Sequence, residues 1–111
     1  MLQRIWGWFQ DPEVMLPCLH SLTGNATVSI AFRWPQEAPD EVTVVGPLGR
    51  DLACYPFLDL VHQLRRLGFN PQTAERYRRA VETGAVLVCV EGGQRHILDL
   101  LTRHHARDLV C

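Results

Sequence analysis

Six consecutive residues, Ala85-Val86-Leu87-Val88-Cys89-Val90, are apolar without interruption and sit between Gly84 and the Gly92-Gly93 pair. The run is rich in valine and bounded by turn residues, which is the signature of a strand. It falls far short of the roughly 18 apolar residues that a membrane-spanning helix needs. Successive side chains of a strand point to opposite faces, so a strand apolar at every position must be covered on both sides or lie at an association surface. The segment from Ala85 to Val90 is therefore read as a central strand, and the other elements are placed around it.

On its C-terminal side, Gly92-Gly93 turns the chain into a helix from about Gln94 to His105, with Ile97, Leu98, Leu100 and Leu101 as its apolar stripe. Arg107 to Cys111 then reads as a closing strand. Strand, helix and strand in so short a space predict a right-handed β-α-β unit, its two strands parallel with room for another between them. On the N-terminal side, Phe57, Leu60, Val61, Leu64 and Leu67 recur at helical spacing. Asn70-Pro71 caps and opens a second helix with Ala74, Tyr77 and Val81 on its buried stripe. Thr27 to Trp34 alternates with period two and Glu41 to Val45 forms a second strand, the pair making a hairpin; Leu48 to Cys54 reads as a loop. Leu2, Ile5, Trp6 and Phe9 fall on one helical face, and Glu13 to Leu22 is a short or bent helix interrupted at Pro17. The expectation is one α+β domain over residues 1–111: a four-stranded sheet with helices on one face, a ferredoxin-like variant with a C-terminal split β-α-β unit. Its first crossover helix would be missing or moved to a short N-terminal amphipathic helix, and residues 1–24 would pack on the sheet or on a partner.

Charge restricts the function. Eleven basic against twelve acidic residues give a net charge of -1, which lacks the footprint of a general nucleic-acid binder. All the basic residues are arginine, so a catalytic or Schiff-base lysine and a phosphate-loop lysine are excluded. Five of them, Arg65, Arg66, Arg76, Arg78 and Arg79, cluster on the two consecutive helices and read as a solvated face. Cys18, Cys54, Cys89 and Cys111 are irregularly spaced, with no charged leader and apolar stretch before them. They read as free thiols in a cytoplasmic protein that needs no cofactor.

The stretch Leu67-Gly68-Phe69-Asn70-Pro71-Gln72-Thr73-Ala74-Glu75-Arg76-Tyr77, continued by Val81-Glu82-Thr83-Gly84-Ala85-Val86-Leu87-Val88-Cys89-Val90, resembles the C-terminal part of the heat-induced general stress proteins of the YflT-like family. In that family a tyrosine-bearing helix runs into a Gly-Gly-Val-Leu-Val type strand, and a further helix leads to a closing strand. Gly84-Ala85 stands for the paired glycines here, and His105-Ala106-Arg107-Asp108-Leu109 for the closing pattern. The N-terminal half has no counterpart. The resemblance implies a bacterial, stress-associated role and carries over no catalytic residue.

The best metal-ligand set is His96, His104, His105 and Cys111, since imidazole and thiolate both suit zinc or copper. Against it, His104 and His105 end a helix, where positive charge is favoured without any metal. Cys18-Leu19-His20 with Cys54 would need an orienting group to form a nucleophile, and none is visible. Leu2, Ile5, Trp6, Trp8 and Phe9 offer a large apolar surface with only Arg4 as a cation. That suits packing or association better than membrane binding. The leading expectation is thus a non-enzymatic binding or interaction domain that self-associates, as a dimer, through its sheet face and N-terminal aromatic residues, with an unknown protein partner also open. The alternatives are a small metal- or thiol-dependent enzyme or sensor built on the C-terminal His/Cys set, and an allosteric small-molecule domain with its pocket at the helix-sheet junction near Tyr77.

Overall fold

The protein is represented by a computed structural model that describes residues 4–22, 26–34, 36–92 and 95–110. Along the chain come β1 (Arg4–Phe9), α1 (Pro12–Ser21), β2 (Thr27–Trp34), β3 (Ala38–Gly46), β4 (Asp51–Pro56), α2 (Leu60–Arg66), α3 (Pro71–Glu82), β5 (Val86–Glu91), α4 (Arg95–Arg103) and β6 (Arg107–Val110). Short 3-10 turns at Pro47–Gly49 and Phe57–Asp59 join the elements on either side of β4.

The strands form one six-stranded sheet in the order β4-β3-β2-β5-β1-β6, and every adjacent pair is antiparallel. A four-stranded ferredoxin-like sheet is therefore incorrect for this chain. Two segments account for the difference. The first is the expected N-terminal amphipathic helix, which is instead strand β1, paired with β5 from Arg4↔Glu91 to Phe9↔Val86. Trp, Phe and Ile are strand formers, Gly7 weakens a helix in the middle of the segment, and a helix this short is marginal in water. The second is the expected loop from Leu48 to Cys54, most of which belongs to β4, paired along its whole length with β3.

β1 and β2 both lie antiparallel to β5, which runs between them, while β5 and β6 both flank β1. Each pair is thus parallel, bridged by α1 and α4 respectively, so the first crossover helix is present. Asp11 accepts from the Glu13 amide at 2.9 Å and Pro12 fills the first turn, so α1 forms in spite of Pro17. Right-handed crossovers place both bridging helices on the same face. There Met15, Cys18, Ile97 and Leu101 pack on Ile5, Phe9, Val86, Val88 and Val90. The opposite face carries α2 and α3, whose Leu60, Leu64, Ala74, Tyr77 and Val81 pack on Trp6, Leu87 and Cys89. Helices cover both faces of β5, not one, and its residues Val86 to Val90 are all buried. Surplus apolar surface on this strand therefore cannot drive association.

Three aromatic rings bind α3 to the sheet: Trp6 meets Phe69 edge-on at 5.0 Å, and Phe69 meets Tyr77 likewise at 5.1 Å. The Tyr77 hydroxyl donates to the Asp108 carbonyl at 2.6 Å. The Asp108 carboxylate accepts from the Trp8 indole at 2.8 Å and pairs with Arg76 at 3.2 Å. Asp108 thus ties the short edge strand β6 to β1 and α3.

Burial makes the interior sensitive to alkali. It pushes the Cys89 thiol from 9.0 up to about 12 and the Tyr55 hydroxyl from 10.0 up to about 12. Each group is neutral in the folded core, and its folded value lies above its unfolded one. The stability that this neutrality contributes is complete below the unfolded value and is lost as pH rises toward the folded one. Urea midpoints should accordingly hold level up to about pH 9 and fall between there and about pH 12, and Cys89→Ala should flatten the start of that decline.

Candidate interaction face

The helices leave one part of the sheet open. Side chains of β2 alternate between faces, with Ala31 buried beneath α2 and α3 and Ile30 and Phe32 on the side of α1 and α4. Register carries this parity outward: Ile30 stands beside Val45 and Phe32 beside Thr43, and these stand beside Leu52 and Cys54. On the α2/α3 face of β3, Val42 is 0% and Val44 is 9% exposed. On the other face Val45 is 39% exposed, and beyond it Leu52 on β4 is 68% exposed. Trp34, at the end of β2, is 50% exposed and meets Phe32 edge-on at 5.1 Å. The α1/α4 layer therefore ends at β2, and beyond half-buried Phe32 an apolar strip through Trp34, Val45 and Leu52 has no helix over it among the described residues.

Where α1 meets this strip, a groove of about 380 Å³ runs between Pro12 and Met15 on one wall and Ile30, Phe32 and Trp34 on the other. Its surroundings are acidic. Asp11 and Glu13 are exposed at the start of α1, and Glu37, Asp40 and Glu41 are exposed along the β2–β3 connection and the first half of β3. Glu41 shares the parity of Thr43 and Val45 and so belongs to the open face. None of these five carboxylates is in an ion pair among the described residues. Arg33 of β2 also borders the groove, but its guanidinium is directed to the other face. Its guanidinium lies 5.1 Å from the centre of the Phe57 ring and donates to the carbonyls of Pro39 at 3.2 Å and Glu82 at 2.6 Å. The Glu82 contact places a cation on the C-terminal end of α3, where the helix dipole favours it.

The residues singled out in the sequence fall elsewhere. Leu2 and Cys111 lie outside the described residues. Ile5, Trp6 and Phe9 are buried in β1 and Trp8 is half-buried with its indole committed to Asp108, so these side chains are sheet interior, not a docking surface. His96 and His105 are exposed and His104 is half-buried around α4; among the described residues no group of three His, Cys, Asp or Glu side chains is placed to hold a metal ion. Cys18 is fully buried against α4, where desolvation raises its thiol, whereas Cys54 is exposed on β4. Tyr77 itself is sealed in the core, while a cavity does lie at a helix-sheet junction, lined by Trp6, Leu64, Leu87 and Cys89 of the core cluster that holds Tyr77.

The open face could have been anticipated in part. Residues 1–55 hold six acids against three arginines, an imbalance that the near-neutral total conceals. A loop over residues 48–54, which the sequence suggests, leaves Leu52 and Cys54 outside the sheet and so conceals the face. No family model matches the chain, and neither a curated protein nor a solved structure matches it.

Proposed function

We propose that this chain is a non-enzymatic interaction domain whose open half-sheet docks an amphipathic segment of a partner protein, apolar on one side and flanked by Arg or Lys. The observation that carries the reading is the coincidence of one open apolar strip with four exposed carboxylates near it, Asp11, Glu13, Glu37 and Glu41, that make no ion pair among the described residues. Apolar contact supplies the affinity, and the acidic rim steers and orients a basic partner. A stress-associated setting rests solely on the resemblance of residues 67–110 to the YflT-like proteins.

Self-association is the second reading, and Leu52 and Trp34 are what favour it, since two such faces laid together would bury both side chains. The acidic rims of two copies would then approach one another, so salt separates the two cases. A fluorescently tagged leucine–arginine amphipathic helical peptide should bind with micromolar affinity that falls as salt is added, and its leucine–glutamate counterpart should not bind. Leu52→Asp adds a charge and removes the most exposed apolar contact; Leu52→Asn removes the contact alone and should weaken binding about tenfold. Light scattering that shows a dimer strengthened by salt, with no peptide bound, would sink the partner reading in favour of the second copy.

A further inference from the structure

On the opposite face, beneath α2, the packing leaves a cavity of about 300 Å³ between that helix and strands β2 to β5. Its floor is Ala31, Leu87 and Cys89 of the sheet, with Trp6 at one end. Ala31 is the reason for the space: its neighbours across the strands are Val44 and Leu87, and a single methyl fills the position between them. The polar groups that reach the cavity are few and uneven in kind. Tyr55 and Gln63 supply a hydroxyl and an amide, Ser29 has its oxygen engaged by the Leu48 amide at 3.2 Å, and Arg66 stands at the rim. Arg66 has no ion pair among the described residues, and no carboxylate lines the cavity.

That chemistry selects a ligand. Ligand sites are typically about 300–1,000 Å³, mainly apolar, with a few polar groups fixing orientation, and this cavity lies at the small end of that range. The absence of a lining carboxylate gives a cation no partner, whereas a guanidinium at the mouth suits an anion held by charge-assisted hydrogen bonds. The Tyr55 hydroxyl, protonated at neutral pH like any tyrosine, also reaches the cavity and can donate to a polar group there. We infer that this cavity binds a small monocarboxylate with an apolar body, its hydrocarbon over Ala31, Leu87 and Cys89 and its carboxylate at Arg66. The site is independent of the open half-sheet, which lies on the other face.

The test uses decanoate and 1-decanol as probes with the full chain. Calorimetric titration should show saturable binding of decanoate, about tenfold weakened by Arg66→Gln, while the alcohol, which has no charge to lose, binds both proteins alike. Ala31→Leu fills the cavity and should abolish decanoate binding while leaving the melting temperature of the unliganded protein level or higher, which a merely structural role for Ala31 would not produce. If Ala31→Leu does not fold, Ala31→Val should reduce binding in smaller degree. Equal binding of decanoate by the filled variants, an equal loss for acid and alcohol in Arg66→Gln, or no saturable binding of decanoate would each overturn the assignment.

Discussion

Replacing Gly46 by alanine is expected to destabilise the fold by about 3 kcal/mol, seen as a lower urea midpoint at unchanged slope. Gly46 ends β3 with φ 116° and ψ -175°, a region that essentially only glycine occupies. A Cβ there would lie 2.6 Å from the Val28 carbonyl oxygen and 2.8 Å from the Ser29 Cα, both backbone atoms of the neighbouring strand. No side-chain rotation relieves such a contact, so strain and clash add. The position also sets the turn that returns the chain as β4: Pro47–Gly49 forms a 3-10 turn, and Arg50 at φ 49° completes the reversal. Losing this geometry should loosen β4 first, and with it the open face, so the variant should also bind a basic peptide less well.

Tyr77→Ala is expected to cost about 3–5 kcal/mol, the range for deleting a large buried aromatic side chain. Tyr77 is 0% exposed, packs edge-on with Phe69, and gives its hydroxyl to the Asp108 carbonyl. Tyr77→Phe keeps the ring and deletes only that bond, and should cost about 1–2 kcal/mol, because a buried carbonyl is left without its donor. Asp108 has φ 50°, so its backbone is already in the left-handed region that asparagine and aspartate tolerate best among residues with side chains. Hydrogen exchange in Tyr77→Phe should therefore rise at β6 before it rises at β5.

How much of this architecture the sequence revealed depends on whether a segment's structure is decided locally. Asn70 caps α3 through the Thr73 amide at 2.8 Å, and Pro71 follows at the first helical position, so that helix is written in its own residues. The uninterrupted run before Gly92 likewise marks β5, and its burial on both faces matches the requirement that such a run be covered. β1 was ambiguous because Ile5, Trp6 and Phe9 satisfy a helical spacing, while the strand also places Ile5 and Phe9 on one face and Trp6 on the other. Only its pairing partners β5 and β6, distant in sequence, decide between the two. β4 carried still less signal: Leu52-Ala53-Cys54-Tyr55 is short, ends at Pro56, and is a strand because β3 lies beside it. The distribution of helices over the two faces could not be read from periodicity, which shows that a helix has an apolar stripe but not which side of a sheet receives it. Missing β4 also hid the candidate face, since Val45 reads as an ordinary half-buried strand residue until Leu52 is placed next to it. The C-terminal histidines drew attention through residue type alone, which takes no account of where their side chains point.

The most direct measurement of the docking claim is an amide and methyl chemical-shift map of the folded chain titrated with the leucine–arginine peptide. Perturbations should gather on Ile30, Phe32, Trp34, Val45 and Leu52 and along Glu37 to Glu41, with α2 and α3 unmoved. Perturbations centred on α3, or scattered over every acidic residue without the apolar strip, would contradict the account.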